Sequence, residues 1–169
     1  RELNTRLLDE LRTESENLTR FLDQKAVAAA AGATDLGPLR GRLSWPLPGT
    51  VISSFGRKKS ARFNTYTMNN GIEIKPERGD EVRAVGGGEV IYGDYFKGYG
   101  NLLILQHANG FHTLYGHCER FLKRTGERVV AGEAIALAGS SGSLYGKALY
   151  FEIRQHRKPL DPLLWLEKK

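Results

Sequence analysis

From Gly41 onward the chain is written in short β-rich runs broken by glycine. Seven runs stand out: Thr50 to Ser53, Gly71 to Ile74, Glu89 to Tyr92, Leu102 to Gln106, Phe111 to Tyr115, Ala134 to Ala138 and Leu149 to Arg154. Strands this short, with turn signals at regular intervals, predict a mainly β fold, an antiparallel sheet closed into a sandwich or barrel-like form. A near repeat supports this. Gly79-Asp80-Glu81-Val82-Arg83-Ala84 and Gly126-Glu127-Arg128-Val129-Val130-Ala131 share the pattern G-(D/E)-x-V-x-A, 47 residues apart. Each precedes a glycine and a hydrophobic run, which predicts two similar hairpins within one sheet; two copies are too few for a solenoid.

The first 34 residues have another character. Residues 2–31 contain good helix formers without Pro or Gly, and Leu8, Leu11, Leu18 and Leu22 lie on a 3,4-spaced track shared with Asn4 and Ser15. Ala26 to Ala31 extend the helical pattern, and Gly32 and then Gly37-Pro38 end it. Two arrangements fit this pattern: the end of a coiled coil, or an amphipathic helix packed on the side of the β domain. The expected organisation is a helical segment over 1–34, a linker over 35–42 and a β domain over 43–169.

Charge follows the same division. The 169 residues carry 25 Lys+Arg and 19 Asp+Glu, a net +6. Residues 1–34 hold five basic and six acidic side chains, leaving 20 basic and 13 acidic, or +7, on the remainder. Such a surface suits nucleic acid, an anionic cell-wall polymer or an acidic protein. No RNP-like aromatic motif, zinc-finger spacing or helix-turn-helix signature favours nucleic acid, and it is not an expected partner. No apolar run approaches the ~18 residues of a membrane span. Cys118 is alone, so no internal disulfide forms, and it reads as a small apolar filler. A chain opening on arginine is expected to be a processed or trimmed fragment, so its lack of a signal peptide says nothing about secretion.

Few motifs carry chemistry. The histidines are His107, His112, His117 and His156, with no H-x-H or H-E-x-x-H among them. His112 and His117 are five apart, on opposite faces of a regular strand, so a zinc site shared by the two is not expected. Residues 142–148 lack the first glycine and the hydroxyl of a phosphate loop, and Gly139-Ser140-Ser141-Gly142 reads as a flexible turn. The basic stretch Gly56-Arg57-Lys58-Lys59, with Arg62 beyond it, reads as a solvated surface loop rather than a cell-wall contact.

The run HANGFHTLYGHCERFLKRTGERVVAGEAIALAGSSGSLYGKALYFEI, residues 107–153, closely resembles the second half of the LytM, or lysostaphin-type, zinc metallopeptidases that cut peptidoglycan cross-links. Trp45 through Arg57 resembles the family's W-P-L-P-G-x-V-x-S-x-F-G-x-R, and Asn69-Asn70-Gly71-Ile72-Glu73-Ile74 resembles its metal-binding H-x-G-x-D-I. The resemblance covers about residues 43–165 and implies a LytM-type antiparallel β-sheet.

It also implies where the chemistry has gone. Active members bind zinc through the His and Asp of H-x-G-x-D and the second His of H-x-H, with the Y-A-H histidine and the first His of H-x-H assisting the bound water. Here Asn69, Glu73 and Tyr150 stand at the three ligand positions, and His117 and Ala148 at the assisting ones. Only His117 is unchanged. Zinc of this kind needs three good protein ligands, and asparagine and tyrosine replace imidazole poorly. The expectation is therefore a catalytically degenerate domain with its ancestral zinc lost, no metal and no cofactor.

On Leu149 to Arg154, Tyr150, Glu152 and Arg154 share one face, and Leu149, Phe151 and Ile153 the other. The second set reads as core. The expected partner-binding groove comprises Asn69, Asn70, Glu73, Tyr99, His117, Tyr150 and Arg154; singly, Tyr99 also reads as a loop cover, Arg154 as a solvated sheet-face charge and His117 as a packing residue. A coiled-coil segment ahead of such a domain resembles the EnvC-like murein hydrolase activators. That resemblance implies a periplasmic or cell-envelope protein whose groove binds a peptidoglycan amidase and relieves its autoinhibition, whose coiled coil communicates with a membrane division complex, and in which a helix occludes the groove until released. Two rivals remain: a zinc peptidase with an unusual ligand set around Glu73 and His117, and a passive peptidoglycan-binding module. A biotinyl or lipoyl carrier is disfavoured, because neither G-(D/E)-x-V-x-A hairpin presents a lysine at its tip.

Overall fold

The computed structural model describes residues 2–25, 31–60, 65–143 and 146–169. Twelve strands follow one long helix, α1 (Glu2–Gln24), among the described residues. They are β1 (Gly49–Ser53), β2 (Gly56–Ser60), β3 (Thr65–Asn69), β4 (Ile72–Pro76), β5 (Glu81–Arg83), β6 (Gly88–Phe96), β7 (Gly100–Gln106), β8 (Phe111–Phe121), β9 (Arg128–Val129), β10 (Ala134–Ala138), β11 (Leu149–Gln155) and β12 (Lys158–Leu160). A one-turn helix, α2 (Pro162–Trp165), closes the chain; Asp161 caps it by accepting from Leu163 N at 3.0 Å. The expected extension of α1 over 26–30 lies outside the described residues, as do the side chains of Asn4 and Leu8. No described helix is long and apolar enough to cross a membrane.

Ten strands form one antiparallel sheet in the order β1-β4-β11-β8-β7-β6-β9, with β10 bridging β8 and β5, and β12 on β11. All seven predicted runs are strands of it. The two G-(D/E)-x-V-x-A segments exchange partners: β5, from the first, pairs with β10, which follows the second, while β9, from the second, pairs with β6, which follows the first.

The sheet is buried on both faces, which explains why Leu102-Leu103-Ile104-Leu105 on β7 does not alternate with polar residues. Leu103 and Leu105 join Ile72, Ile74, Tyr115, Phe151 and Ile153 in the main core. Leu102 and Ile104 face the other way, with Ile91, Tyr99 and Leu114, and meet Leu18 and Leu22 of α1. Both leucines are essentially fully buried. Of the two expected arrangements, α1 therefore takes the second in this chain, laid on the sheet. The ring of Phe21 extends the contact edge-on to Tyr92 and Phe96, at 4.9 and 5.7 Å between centroids.

Three features differ from the sequence expectation. The basic stretch at Gly56-Arg57-Lys58-Lys59 is a strand, β2, paired with β3 in a separate two-stranded ribbon. Its charge suggested a loop, yet cross-strand pairing needs only that the side chains stand clear of the pleat; Arg62 lies outside the described residues. The turn at 139–142 is pinned rather than flexible, because Ser141 Oγ donates to Cys118 O at 2.7 Å and accepts from Asn101 N at 3.1 Å. Finally, His117 has φ +61°, left-handed for a residue inside a strand. The resulting bulge turns its ring to the helix-covered side, so His117 and His112 share a face although five positions apart.

Candidate functional site: a polar cluster beneath the helix

Strands β4, β11 and β8 lie side by side, and their register sets Tyr150 opposite both Glu73 and Gly116. That places three of the seven predicted site residues together. His117 Nδ1 lies 2.8 Å from Ser141 O, and its Nε2 lies 3.0 Å from Glu73 Oε1. A carbonyl oxygen only accepts, so Nδ1 carries a hydrogen; the contact to the carboxylate then needs a second proton between Nε2 and Oε1. Both side chains are buried, and Glu73 Oε2 has no partner. Tyr150 packs 5.9 Å from the His117 ring and 5.5 Å from that of Tyr99.

Further along β11, Tyr150 OH donates to Glu152 Oε2, and Arg154 Nε donates to Glu152 Oε1 at 2.6 Å. Arg154 and Glu152 are both wholly buried, which overturns the expectation of a solvated sheet-face arginine. Burial opposes the Arg154 charge, but the Glu152 carboxylate outweighs it and raises the guanidinium above its ordinary value. Burial, and then the Glu152 charge, raise the Tyr150 phenol well above the usual tyrosine range. His112, opposite Arg154 in register, is pushed down to about 4 by burial and by that guanidinium.

Helix α1 closes this cluster. Asn70 Nδ2 donates to Ser15 Oγ at 2.7 Å, and Tyr99 packs in the buried cluster that takes in Leu18 and Leu22 of the helix. Arg154 Nη1 donates to Thr19 Oγ1 at 3.0 Å. At the helix's end Arg157 pairs with Asp23 at 2.9 Å, in solvent. The contacts Ser15, Leu18, Thr19 and Leu22 fall at i, i+3, i+4 and i+7, the spacing of a helix seated in a groove. The face expected to be the partner-binding groove is thus occupied by the chain's own helix α1.

Asn69 stands apart from the other six residues. Its amide donates to Ser54 O at 3.1 Å and to Ser53 Oγ at 3.3 Å, at the end of β1. Ala148 contributes a buried methyl group. Among the described residues no group of three or more His, Cys, Asp or Glu side chains is disposed to share a metal. The thiol of Cys118 is pushed up to about 12 by burial, in keeping with a packing role. Sequence reasoning missed Ser15, Thr19 and Ser141 as parts of the site. Ser15 left a signal, as a hydroxyl on the leucine track that a purely apolar contact does not need.

Residues 67–162 match the model of peptidase family M23. The chain is 40% identical to a Pseudomonas aeruginosa protein named Lipoprotein NlpD/LppB homolog, over 83% of this chain and 46% of that one. It is 34% identical to the Escherichia coli protein named Murein hydrolase activator EnvC, over 85% of this chain and 33% of that one. The chain thus spans less than half the length of these curated relatives. Among solved structures it superposes on a zinc-containing peptidase from Vibrio cholerae with a TM-score of 0.67 and 28% identity, over 73% of this chain and 40% of that one. With the fold, the order of the motifs and the family match in agreement, the chain belongs to peptidase family M23.

Proposed function

We propose that this chain is a non-catalytic activator of peptidoglycan amidases, acting in the cell envelope during cell-wall remodelling and daughter-cell separation, with α1 as a cover over its amidase-binding face. The names of its relatives support an activating role in murein hydrolysis. A resident zinc does not suit the residues at the three ligand positions. The Asn69 amide is engaged by Ser53 and Ser54, Glu73 is engaged by His117, and the Tyr150 phenol, held protonated by burial, donates to Glu152. Without a metal to acidify water there is no peptidase of this type.

One observation carries the proposal: Asn70 and Arg154 already hold a helix by hydrogen bonds, with Tyr99 packed against its leucines. Their polar atoms and the apolar strip of Leu102, Ile104 and Leu114 recognise an amphipathic helix by its i, i+3, i+4, i+7 face. A helix of the amidase, rather than an extended peptide for cleavage, is the ligand such a face takes once α1 lifts.

The test adds the protein to a peptidoglycan amidase and measures dye release from labelled peptidoglycan. The protein alone should release nothing, with or without zinc, and should stimulate the amidase when mixed with it. Leu18→Asp, which expels α1, should stimulate more than the unaltered chain, and Arg154→Ala in that background should abolish the gain. Chelator-sensitive release by the protein alone would overturn the proposal in favour of a zinc peptidase.

A further inference from the structure

The β2–β3 ribbon takes no part in the cluster beneath α1. Its register sets Arg57 opposite Met68 and Lys58 opposite Thr67, so Arg57, Tyr66 and Met68 share one face and Lys58 the other. Tyr66 and Met68 are 53% and 55% exposed, and the Arg57 guanidinium stacks over the Tyr66 ring at 3.9 Å. Stacking holds the plane of the guanidinium while its N–H edge remains free to grip a carboxylate in a fork.

The sequence of this ribbon is basic throughout. From Ser54 to Ile72 the sequence holds Arg57, Lys58, Lys59 and Arg62 and no Asp or Glu. Some basic side chains elsewhere on the surface do have acidic partners, as in Arg83–Glu81, Lys123–Glu133, Lys147–Asp80 and Arg157–Asp23. A two-stranded ribbon is marginal by itself. This one is anchored at its base, where Lys58 Nζ donates to Ser54 Oγ at 2.6 Å and Asn69 holds Ser54 O. Asn70, next in the chain, holds Ser15 of α1, so the ribbon rises from the rim of the covered face.

We propose that the β2–β3 ribbon binds the carboxylates of peptidoglycan stem peptides, an inference that rests on the chain working at the cell wall. A protein partner needs a desolvated centre ringed by contacts that exclude water from it. The ribbon offers one tyrosine and one methionine, both half in water, on a strip two strands wide. A polymer that repeats its carboxylates uses such a strip well, because many weak cation–carboxylate contacts add through multivalency. Protein recognition and wall recognition then fall to adjoining surfaces, and the amidase is met where its substrate is held.

The experiment is co-sedimentation with purified insoluble peptidoglycan, run beside a solution measurement of amidase affinity without peptidoglycan. R57E should lower the sedimented fraction several-fold and flatten its dependence on salt, with the circular dichroism spectrum and amidase affinity unchanged. Peptidoglycan with its carboxylates blocked as amides should not pull down the unaltered protein. Sedimentation equal for variant and parent, or a variant that loses amidase affinity while still sedimenting, would overturn the inference; the latter would make the ribbon a protein dock. Ribbon-dependent sedimentation by a protein that stimulates no amidase would leave this inference standing and remove the proposed function.

Discussion

Arg154 Nη1 on β11 donates to Thr19 Oγ1 on α1 at 3.0 Å, while the adjacent Nη2 is buried without a partner. Thr19 is free to accept because its own hydroxyl proton goes to Ser15 O, at 3.1 Å, one turn back along the helix. Thr19→Ala removes the acceptor and leaves Nη1 only the Arg157 carbonyl, at 3.4 Å. The expected cost is roughly 1–3 kcal/mol of helix docking, the range for a buried donor that loses its partner. Faster amide exchange over Glu10 to Gln24, with unchanged protection on β7, is the result that checks it.

Leu22 tests whether the helix leaves as a unit. It is 1% exposed, wedged among apolar side chains that include Ile91, Leu102 and Ile104. Leu22→Ala removes most of that side chain at the helix–sheet seam, at a cost of about 2–4 kcal/mol. Exchange should accelerate throughout α1 before β4, β7, β8 or β11 is affected. Loss of protection on β7 in step with α1 would show that the helix is an integral part of the fold rather than a cover.

Glu14 gives the docking a pH dependence. It lies against Gly98, and burial raises its carboxyl above the ordinary value of 4.5; Lys97 pulls it down and Glu10 pushes it up. An acid whose pKa is raised on docking favours the docked state most when protonated. Its contribution is therefore full below 4.5 and declines as pH rises through the docked-state value. Glu14→Gln should tighten α1 at pH 7, and the difference from the parent should vanish as pH falls toward 4.5. Amide exchange of α1 in the two proteins, compared at both ends of that range, measures it.

How much of this was legible in the sequence depends on what each residue had to reveal. The seven main strands were readable because burial on both faces, as in Leu102 to Leu105, leaves a compact apolar run. The side on which His117 lies was not, because a single φ of +61° moves it across the sheet and no composition signals that angle. Arginine normally ends in water, so the complete burial of Arg154 depended on Glu152, two residues away, and on Thr19, 135 residues away. The β2–β3 ribbon was hidden by its charge, which looks like a loop when the partner strand is unknown. The leucine track of α1 announced a binding face without naming what it faced.

His107 predicts a loss of stability in mild acid. Its Nδ1 donates to Gly87 O and its Nε2 accepts from Thr113 Oγ1, both at 2.7 Å; Thr113 accepts from Tyr115 OH at 2.9 Å, and Tyr115 OH from Val85 N at 3.2 Å. Every donor in this chain points one way, so protonating Nε2 leaves two donors facing each other. Burial lowers the ring to about 4 from 6.5. The folded state prefers neutral His107, so its contribution is complete above pH 6.5 and is lost as pH falls to about 4, on the order of 3 kcal/mol over 2.5 units. His112 titrates in the same window. Denaturant midpoints from pH 7 to pH 4 should fall for the parent and fall less for His107→Gln.

Glu73 and His117 form a buried strut between β4 and β8, with His117 Nε2 3.0 Å from Glu73 Oε1. Removing one partner of this buried hydrogen-bonded pair leaves the other unsatisfied, at a cost of roughly 1–3 kcal/mol. Glu73→Gln retains the volume and one acceptor oxygen and should lie at the lower end of that range. His117→Ala also vacates a left-handed position between Gly116 and Cys118, and should cost more. The double variant should be less destabilised than the sum of the two, because each single change leaves a polar group without its mate. A coupling below about 0.5 kcal/mol at pH 7, the additivity limit for independent sites, would mean that these two residues are neighbours and not a strut.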